Sequence, residues 1–139
     1  MKNILKSGLI IACATIIVAC NKTDETNTNE NSMNPFFKEF DTPFGVPPFD
    51  LIKIEHYKPA FEEGFKQHKA EIDAIINNSE KASFENTIVA LDRAGQLLNR
   101  VSNVFFNLTS AHTNDTLDQI ETEIGPLFSK HNDEIYMNA

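Results

Sequence analysis

Length, composition and charge limit this chain to one modest domain. Its 139 residues carry 12 basic and 20 acidic side chains, a formal net charge of -8, and 41% of them are hydrophobic, which is ordinary for a globular protein. An acidic chain without a basic patch repels phosphate backbones, so we expect no nucleic-acid partner. The two cysteines, Cys13 and Cys20, both lie near the N-terminus, so no disulfide framework can support the rest of the chain.

Residues 1–19 are predicted to be a lipoprotein signal peptide. Lys2 and Lys6 precede an apolar run over 8–19, which is too short to cross a hydrocarbon core of ~30 Å but suits a signal peptide. The run ends in Ile-Val-Ala-Cys, a sequence that resembles the bacterial lipobox. We therefore expect cleavage after residue 19 and attachment of lipid to Cys20.

Two alternatives to this anchor stay open. Cys13 ends a similar Ile-Ile-Ala-Cys run but follows Lys6 too soon for a full apolar region, and Cys20 could be an ordinary thiol behind a conventional signal peptide. Asn21, not Asp, follows Cys20, and resemblance to lipoprotein sorting signals then favours the outer membrane. We expect an exported bacterial lipoprotein that is held in the cell envelope, at the outer membrane.

Two segments without a long helix are expected next. Residues 20–34 are almost wholly polar and predict a lipid-anchored linker. Residues 35–54 contain four prolines, which oppose a long helix, and five phenylalanines, which would be an aggregation hazard if all were exposed. We expect an extended Phe/Pro arm whose rings insert into a larger body. The alternative is that the arm packs only on the helices that follow.

Residues 55–139 are expected to be helical, so the predicted fold class is mainly α. A first helix should begin near Lys58, with Pro59 in its first turn, and end at Asn77, because its apolar residues recur every three or four positions. Ser83 is a suitable N-cap for a second, long helix. That helix should run from 84 to about 109 and span roughly 39 Å.

Glycine and proline residues lie inside the second and third predicted helices and should weaken or distort them. Gly95 lies inside the predicted second helix and should weaken it by about 1 kcal/mol relative to Ala. That cost is tolerable if another helix crosses closely there. A third helix should be capped at Asn114, and the Gly125-Pro126 pair should kink or interrupt it.

No residue pattern in the chain predicts a catalytic or metal site. None of the four histidines forms an HExxH or HxH pair. His68 and His131 lie beside apolar stripes and are interpreted as packed or hydrogen-bonded residues, and His56 as a structural hydrogen-bonding residue. The adjacent Glu62 and Glu63 would point about 100° apart on a helix, so they do not form an acid/base pair.

Seven stretches of the chain, in order and spacing, carry a resemblance to a known family. They are residues 34–37, 47–52, 56–61, 84–91, 97–101, 125–131 and 135–138. Together they resemble the N-terminal helical region of bacterial peptidyl-dipeptidases (dipeptidyl carboxypeptidases). These enzymes belong to the thimet oligopeptidase and oligopeptidase A family of zinc metallopeptidases.

The resemblance implies an incomplete portion of a larger α-helical metallopeptidase. The intact enzyme would hold zinc with two His and one Glu and release dipeptides from the C-terminus of short peptides. Those residues have no counterpart here, so residues 55–139 would be a truncated N-terminal peptidase region, inactive alone, that forms one wall or lid of the substrate channel. Its expected partners are short peptides, the membrane and the remainder of the peptidase chain. The alternatives are a small lipoprotein that acts as a helical binding module, or an oligoendopeptidase of the same family.

Overall fold

The computed structural model describes residues 34–137, and this part of the chain is helical without strands. The predicted mainly α fold class is therefore confirmed. Four α-helices follow one another, namely α1 (Tyr57–Ile76), the short α2 (Ala90–Arg93), α3 (Gln96–Ala111) and α4 (Asp115–Tyr136). No helix within 34–137 has the length and apolarity that a membrane crossing needs.

Helix α1 forms where the sequence predicts it. His56 fixes its start, because the His56 Nδ1 accepts the Lys53 backbone N–H at 3.0 Å, which confirms the predicted structural role of His56. The Asn77 side chain donates to the Asp73 carbonyl at 2.7 Å and closes the last turn. The inner face of the helix buries residues at helical spacing, namely Tyr57, Ala60, Phe61, Gly64 and Ile72.

The predicted single second helix is wrong, because the chain breaks at residues 94–95. Ser83 caps the first part as expected: its hydroxyl accepts the Asn86 N–H, and the Asn86 side chain accepts the Ser83 N–H. This part is a π-helical turn at Phe84–Val89 that leads into α2. Gly95 then adopts a left-handed conformation, with φ of 76°, and α3 starts in a new direction.

Two contacts from α1 explain the break. The Gly95 N–H donates to the Glu71 carboxylate at 2.6 Å, so it is not available for a helical bond. The His68 ring lies 3.1 Å from where a Cβ of residue 95 would be, so only glycine fits there without displacing the ring. Helix α1 does approach Gly95 closely, through its His68 side chain, but the approach occurs at a turn between two helices.

The last helix is not interrupted at Gly125-Pro126, so of the predicted kink or interruption the interruption is wrong. Helix α4 continues from Asp115 to Tyr136 with Pro126 inside it. Gly125 and Pro126 are both exposed, so water can bond the carbonyl that the proline leaves without a donor. On the opposite side Leu117 and Ile124 are buried and hold the helix against the core.

The core is an aromatic cluster between α1, α3 and α4. Phe61 is fully buried, and its ring meets that of Phe105 edge-on at a centroid distance of 5.3 Å and that of Phe128 at 5.8 Å. Such edge-to-face pairs are favourable beyond the area that they bury. Gly64 allows α1 and α3 to approach, since a Cβ there would lie 3.0 Å from the Leu98 Cα.

The Phe/Pro arm divides into a packed part and an exposed part. Phe36 is fully buried, so for this ring the prediction of insertion into a larger body is wrong. Phe37 and Phe40 are partly buried against the same core, and for their exposed parts the insertion stays a prediction. All three rings pack on the helices of the chain itself. Phe44 and Phe49 are exposed, and for these two the insertion into a larger body stays a prediction.

Candidate functional site

The one site residue predicted from the sequence, the lipidation site Cys20, lies outside the described residues, as do the signal peptide and most of the linker. Within residues 34–137, no three His, Cys, Asp or Glu side chains are grouped closely enough to hold a metal ion.

A hydrogen bond between two histidines joins α1 to α4. The His131 Nε2 lies 2.9 Å from the His68 Nδ1, and the ring of His131 packs edge-on against Phe65 at 5.1 Å. His131 is buried and His68 is half-buried, so the pair extends the aromatic core with one polar contact. This confirms the interpretation of both residues as packed, hydrogen-bonded histidines.

Burial keeps both rings neutral near pH 7. It lowers the pKa of His68 below its usual 6.5, and the Glu71 carboxylate opposes this effect. Burial likewise lowers the pKa of His131, and the His68 ring lowers it further, with Glu134 opposing and Lys69 assisting. A neutral pair can use one ring N–H as donor and the other ring nitrogen as acceptor. The pairing itself was not predicted, because a separation of 63 residues carries no sequence signal.

One buried polar atom has no partner in the described part of the chain. The Tyr57 side chain is 1% exposed, and its hydroxyl makes no hydrogen bond there. Burial raises the pKa of this hydroxyl, so it stays protonated. A buried hydroxyl without a partner costs free energy, about 1–3 kcal/mol.

A polar groove of about 400 Å³ runs beside the arm between α1 and α3. Its charged groups already have partners: Glu63 accepts from Gln67 and Lys66, Glu71 accepts the Gly95 N–H, and Arg100 donates to the Phe36 carbonyl. The hydrogen bond from Gln67 lowers the pKa of Glu63, which opposes its use as a general acid. The groove therefore holds the arm on the helices and does not present a converging acid/base pair.

The exposed part of the arm contains a backbone conformation that is unusual for its residue type. Phe44 has φ of 61° and ψ of 16°, in the left-handed region, which costs a non-glycine residue about 1–2 kcal/mol. Its side chain is fully exposed. A sequence pattern cannot predict this feature, because the phenylalanine side chain itself disfavours the conformation.

The chain is similar to known peptidases over most of the described range. No protein-family model matches it. Over 108 residues, which are 78% of this chain and 16% of the relative, it is 44% identical to dipeptidyl carboxypeptidase of Escherichia coli strain K12. It is 42% identical to dipeptidyl carboxypeptidase of Salmonella typhimurium strain LT2 over the same length and coverage.

A more distant relative extends the similarity. Over 90 residues, 65% of this chain and 13% of the relative, the chain is 28% identical to oligopeptidase A of Salmonella typhimurium strain LT2. The chain thus spans only 16% of the length of the two more similar relatives. These similarities confirm the resemblance found in the sequence: the chain is related to the peptidyl-dipeptidase and oligopeptidase family of peptidases.

Proposed function

We propose that this chain is the N-terminal portion of a lipid-anchored zinc peptidase that releases dipeptides from the C-terminus of short peptides. The observation that carries the proposal is the 44% identity to dipeptidyl carboxypeptidase of Escherichia coli over 108 residues. The active site of the enzyme would lie outside this portion. The match to oligopeptidase A, at 28% identity, supports an oligoendopeptidase less well.

The described residues do not fit a zinc site, so no catalytic step is assigned to them. A tetrahedral catalytic zinc needs three protein ligands, and residues 34–137 contain no cluster of that kind. In the one pair of neighbouring histidines, two of the ring nitrogens face each other at 2.9 Å. Those nitrogens are engaged in a hydrogen bond and leave no space for a metal between them.

The proposed role of residues 55–137 is to form a wall or lid of the substrate channel. Three features support a rigid element of this kind. The aromatic core joins three helices, the Gly64 contact sets the crossing of α1 and α3, and the His68–His131 hydrogen bond ties α4 to α1. A wall of this rigidity would position peptides by shape without supplying catalytic groups.

Peptide hydrolysis by a longer product of the same gene tests this proposal. The whole reading frame that contains these codons is expressed and incubated with a short, N-terminally blocked peptide, and the products are identified by mass spectrometry. We expect release of C-terminal dipeptides by that product and none by residues 20–139 with added zinc. Internal cleavage would support the oligoendopeptidase. A frame that ends at codon 139 in an expressed gene would contradict the enzyme and favour the small binding lipoprotein.

The lipid anchor is tested separately with a matched pair of cysteine variants. Cys20→Ser should abolish incorporation of labelled palmitate and move the protein from the detergent phase to the aqueous phase. Cys13→Ser should leave both unchanged, because Cys13 lies within the proposed signal peptide. Unchanged labelling of Cys20→Ser, or loss of labelling in Cys13→Ser alone, would contradict lipidation at Cys20.

A further inference from the structure

The arm carries four apolar side chains that the helices of this chain leave wholly or about half exposed. Phe36, in the same arm, is fully buried, whereas Phe44 is 103% exposed. Val46, Phe49 and Leu51 are each more than half exposed. The fold of residues 34–137 therefore leaves Phe44 wholly uncovered and the other three side chains about half uncovered.

The turn that carries Phe44 is fixed by its own hydrogen bonds. The Thr42 hydroxyl donates to the Val46 carbonyl at 2.5 Å, and the Gly45 N–H donates to the Thr42 carbonyl at 3.0 Å. Phe44 and Gly45 are both left-handed, with φ of 61° and 67°. Unfavourable backbone conformations of this kind cluster at ligand clamps and binding sites. A turn whose backbone is already held in place loses less conformational entropy on binding than a flexible loop would.

We propose that the turn 42–46 is an aromatic anchor, in which the Phe44 ring inserts into an apolar socket on the remainder of the peptidase polypeptide. The inference rests on the proposed function, since that polypeptide is the part of the relatives that has no counterpart here. The matched segment covers only 16% of each dipeptidyl carboxypeptidase. A body of that size offers the surface that the described helices lack.

Area argues against a second copy of this chain as the occupant. A stable interface between independent proteins buries about 1,200–2,000 Å², whereas a single aromatic side chain buries about 150–250 Å². One anchor is too small to hold two separate chains together. Within one polypeptide the linkage supplies a high effective concentration, so a small contact is sufficient.

Charge argues against a lipid surface. Segments that lie in a membrane interface are rich in Lys and Arg. The anchor is instead flanked by Glu39, Asp41 and Asp50 as well as Lys38 and Lys53, which leaves no basic excess. The mixed charge suits a protein surface, where a polar rim surrounds an apolar contact.

A chimera tests the anchor in a full-length enzyme. The matched segment of the Escherichia coli dipeptidyl carboxypeptidase is replaced by the corresponding residues of this chain, and melting temperatures are measured with and without Phe44→Gly. In this chain alone, Phe44→Gly should raise the melting temperature, because glycine removes the left-handed strain and the ring contacts nothing. In the chimera the same substitution should lower the melting temperature by about 1–2 °C, because a buried ring contributes about 1.5–3 kcal/mol and the shift per kcal/mol decreases with chain length.

Gly45→Ala provides the matched control at the same turn. It adds a Cβ in open space to a left-handed residue and removes no ring, so it should lower the melting temperature in both contexts. The anchor is supported if Phe44→Gly changes the melting temperature in opposite directions in this chain and in the chimera, while Gly45→Ala lowers it in both.

Four results would overturn the anchor. The first is a chimera whose melting temperature Phe44→Gly raises or leaves unchanged. The second is self-association of this chain that depends on Phe44, measured by analytical ultracentrifugation. The third is binding to phosphatidylcholine vesicles that depends on Phe44. The fourth is a chimera that does not fold when the parent enzyme does, because the arm then does not fit its proposed partner.

The two proposals fail in distinguishable ways in the chimera. Dipeptide release with no effect of Phe44→Gly on melting would leave the peptidase proposal standing and remove the anchor. A folded chimera without dipeptide release, in which Phe44→Gly lowers the melting temperature, would support the anchor and count against the proposed enzymatic role of this segment.

Discussion

Replacing Gly95 with alanine should destabilise the chain, although alanine is the better helix former. At φ of 76° an alanine is strained by about 1–2 kcal/mol. Its Cβ would also lie 3.1 Å from the His68 ring, which His131 holds from the other side, and overpacking of this kind typically costs about 1–3 kcal/mol. Reduced freedom of the unfolded chain offsets about 0.4–1 kcal/mol. The net loss in the free energy of unfolding should be about 1–5 kcal/mol.

Gly125→Ala is the matched control for this substitution. Gly125 lies inside α4, and a Cβ there would meet nothing within 4 Å beyond its chain neighbours and its own helix backbone. Helix propensity then favours alanine by about 0.5–1 kcal/mol, and crowding against the ring of Pro126 opposes this gain, so the free energy of unfolding should change far less than for Gly95→Ala. Gly95→Asn separates the two causes of the loss at position 95. Asparagine tolerates the left-handed region, but its Cβ still meets His68, so it should cost less than alanine.

Urea denaturation followed by helical circular dichroism measures all three variants. An uninterrupted helix from 84 to 109, as the sequence pattern predicts, would make Gly95→Ala stabilising by about 1 kcal/mol. The sign of the change therefore distinguishes the two structures. A Gly95→Ala variant that equals or exceeds the original chain in stability would refute the turn at residues 94–95.

Three further predictions concern the core. The pKa values of His68 and His131 are lower in the folded chain than their usual 6.5. The unfolded chain therefore binds more protons as the pH falls below about 6.5. The stability that the two neutral histidines contribute is complete above about pH 6.5 and is lost as the pH falls through the folded pKa values. His131→Gln should flatten this dependence in urea midpoints measured against pH, and an unchanged slope would contradict it. Phe61→Ala should lower the free energy of unfolding by about 3–5 kcal/mol, and a loss below about 1 kcal/mol would mean that the ring is not buried. Tyr57→Phe should raise the free energy of unfolding by about 1 kcal/mol, because it removes a buried hydroxyl that has no partner within residues 34–137, and a decrease would show that the hydroxyl is bonded.

Local signals predicted the helices where neighbouring residues determine them. Pro59 and Asn77 mark the ends of α1, and the Ser83 cap forms as expected, because each acts within a few positions of itself. The break at Gly95 could not be predicted in this way. It depends on the Glu71 carboxylate, 24 residues earlier in the chain, which takes the N–H that a continuous helix would use.

Two other differences between the predicted and the observed structure, at Gly125-Pro126 and in the arm, also arise from tertiary structure. The Gly125-Pro126 pair predicts a kink or an interruption of α4, and the absence of an interruption depends on which side of the helix faces water. The sequence pattern predicts one environment for all five rings of the arm. Arg100, however, donates to the Phe36 carbonyl at 2.8 Å and holds only the first part of the arm on the helices. Hydrophobicity alone does not distinguish Phe36 from Phe44.

The candidate sites were predictable only where one short motif suffices. Cys20 is identified by the residues that precede it, and its lipidation stays a prediction. The His68–His131 pair and the strained Phe44 depend on backbone geometry and long-range packing. Neither leaves a pattern in a single sequence.

The hydrogen bond between His68 and His131 also links the protonation of the two ring nitrogens that face each other. If the His131 Nε2 donates, the His68 Nδ1 must be bare, and the reverse arrangement needs the opposite tautomers. One added proton gives an imidazolium that donates to a neutral imidazole, so the bond between α1 and α4 survives it as a charge-assisted bond. Only a second proton places two donors face to face. The two rings should therefore titrate as a coupled pair in two steps, and the hydrogen bond between α1 and α4 should be lost at the second step, while Phe128 keeps α4 packed on Phe61.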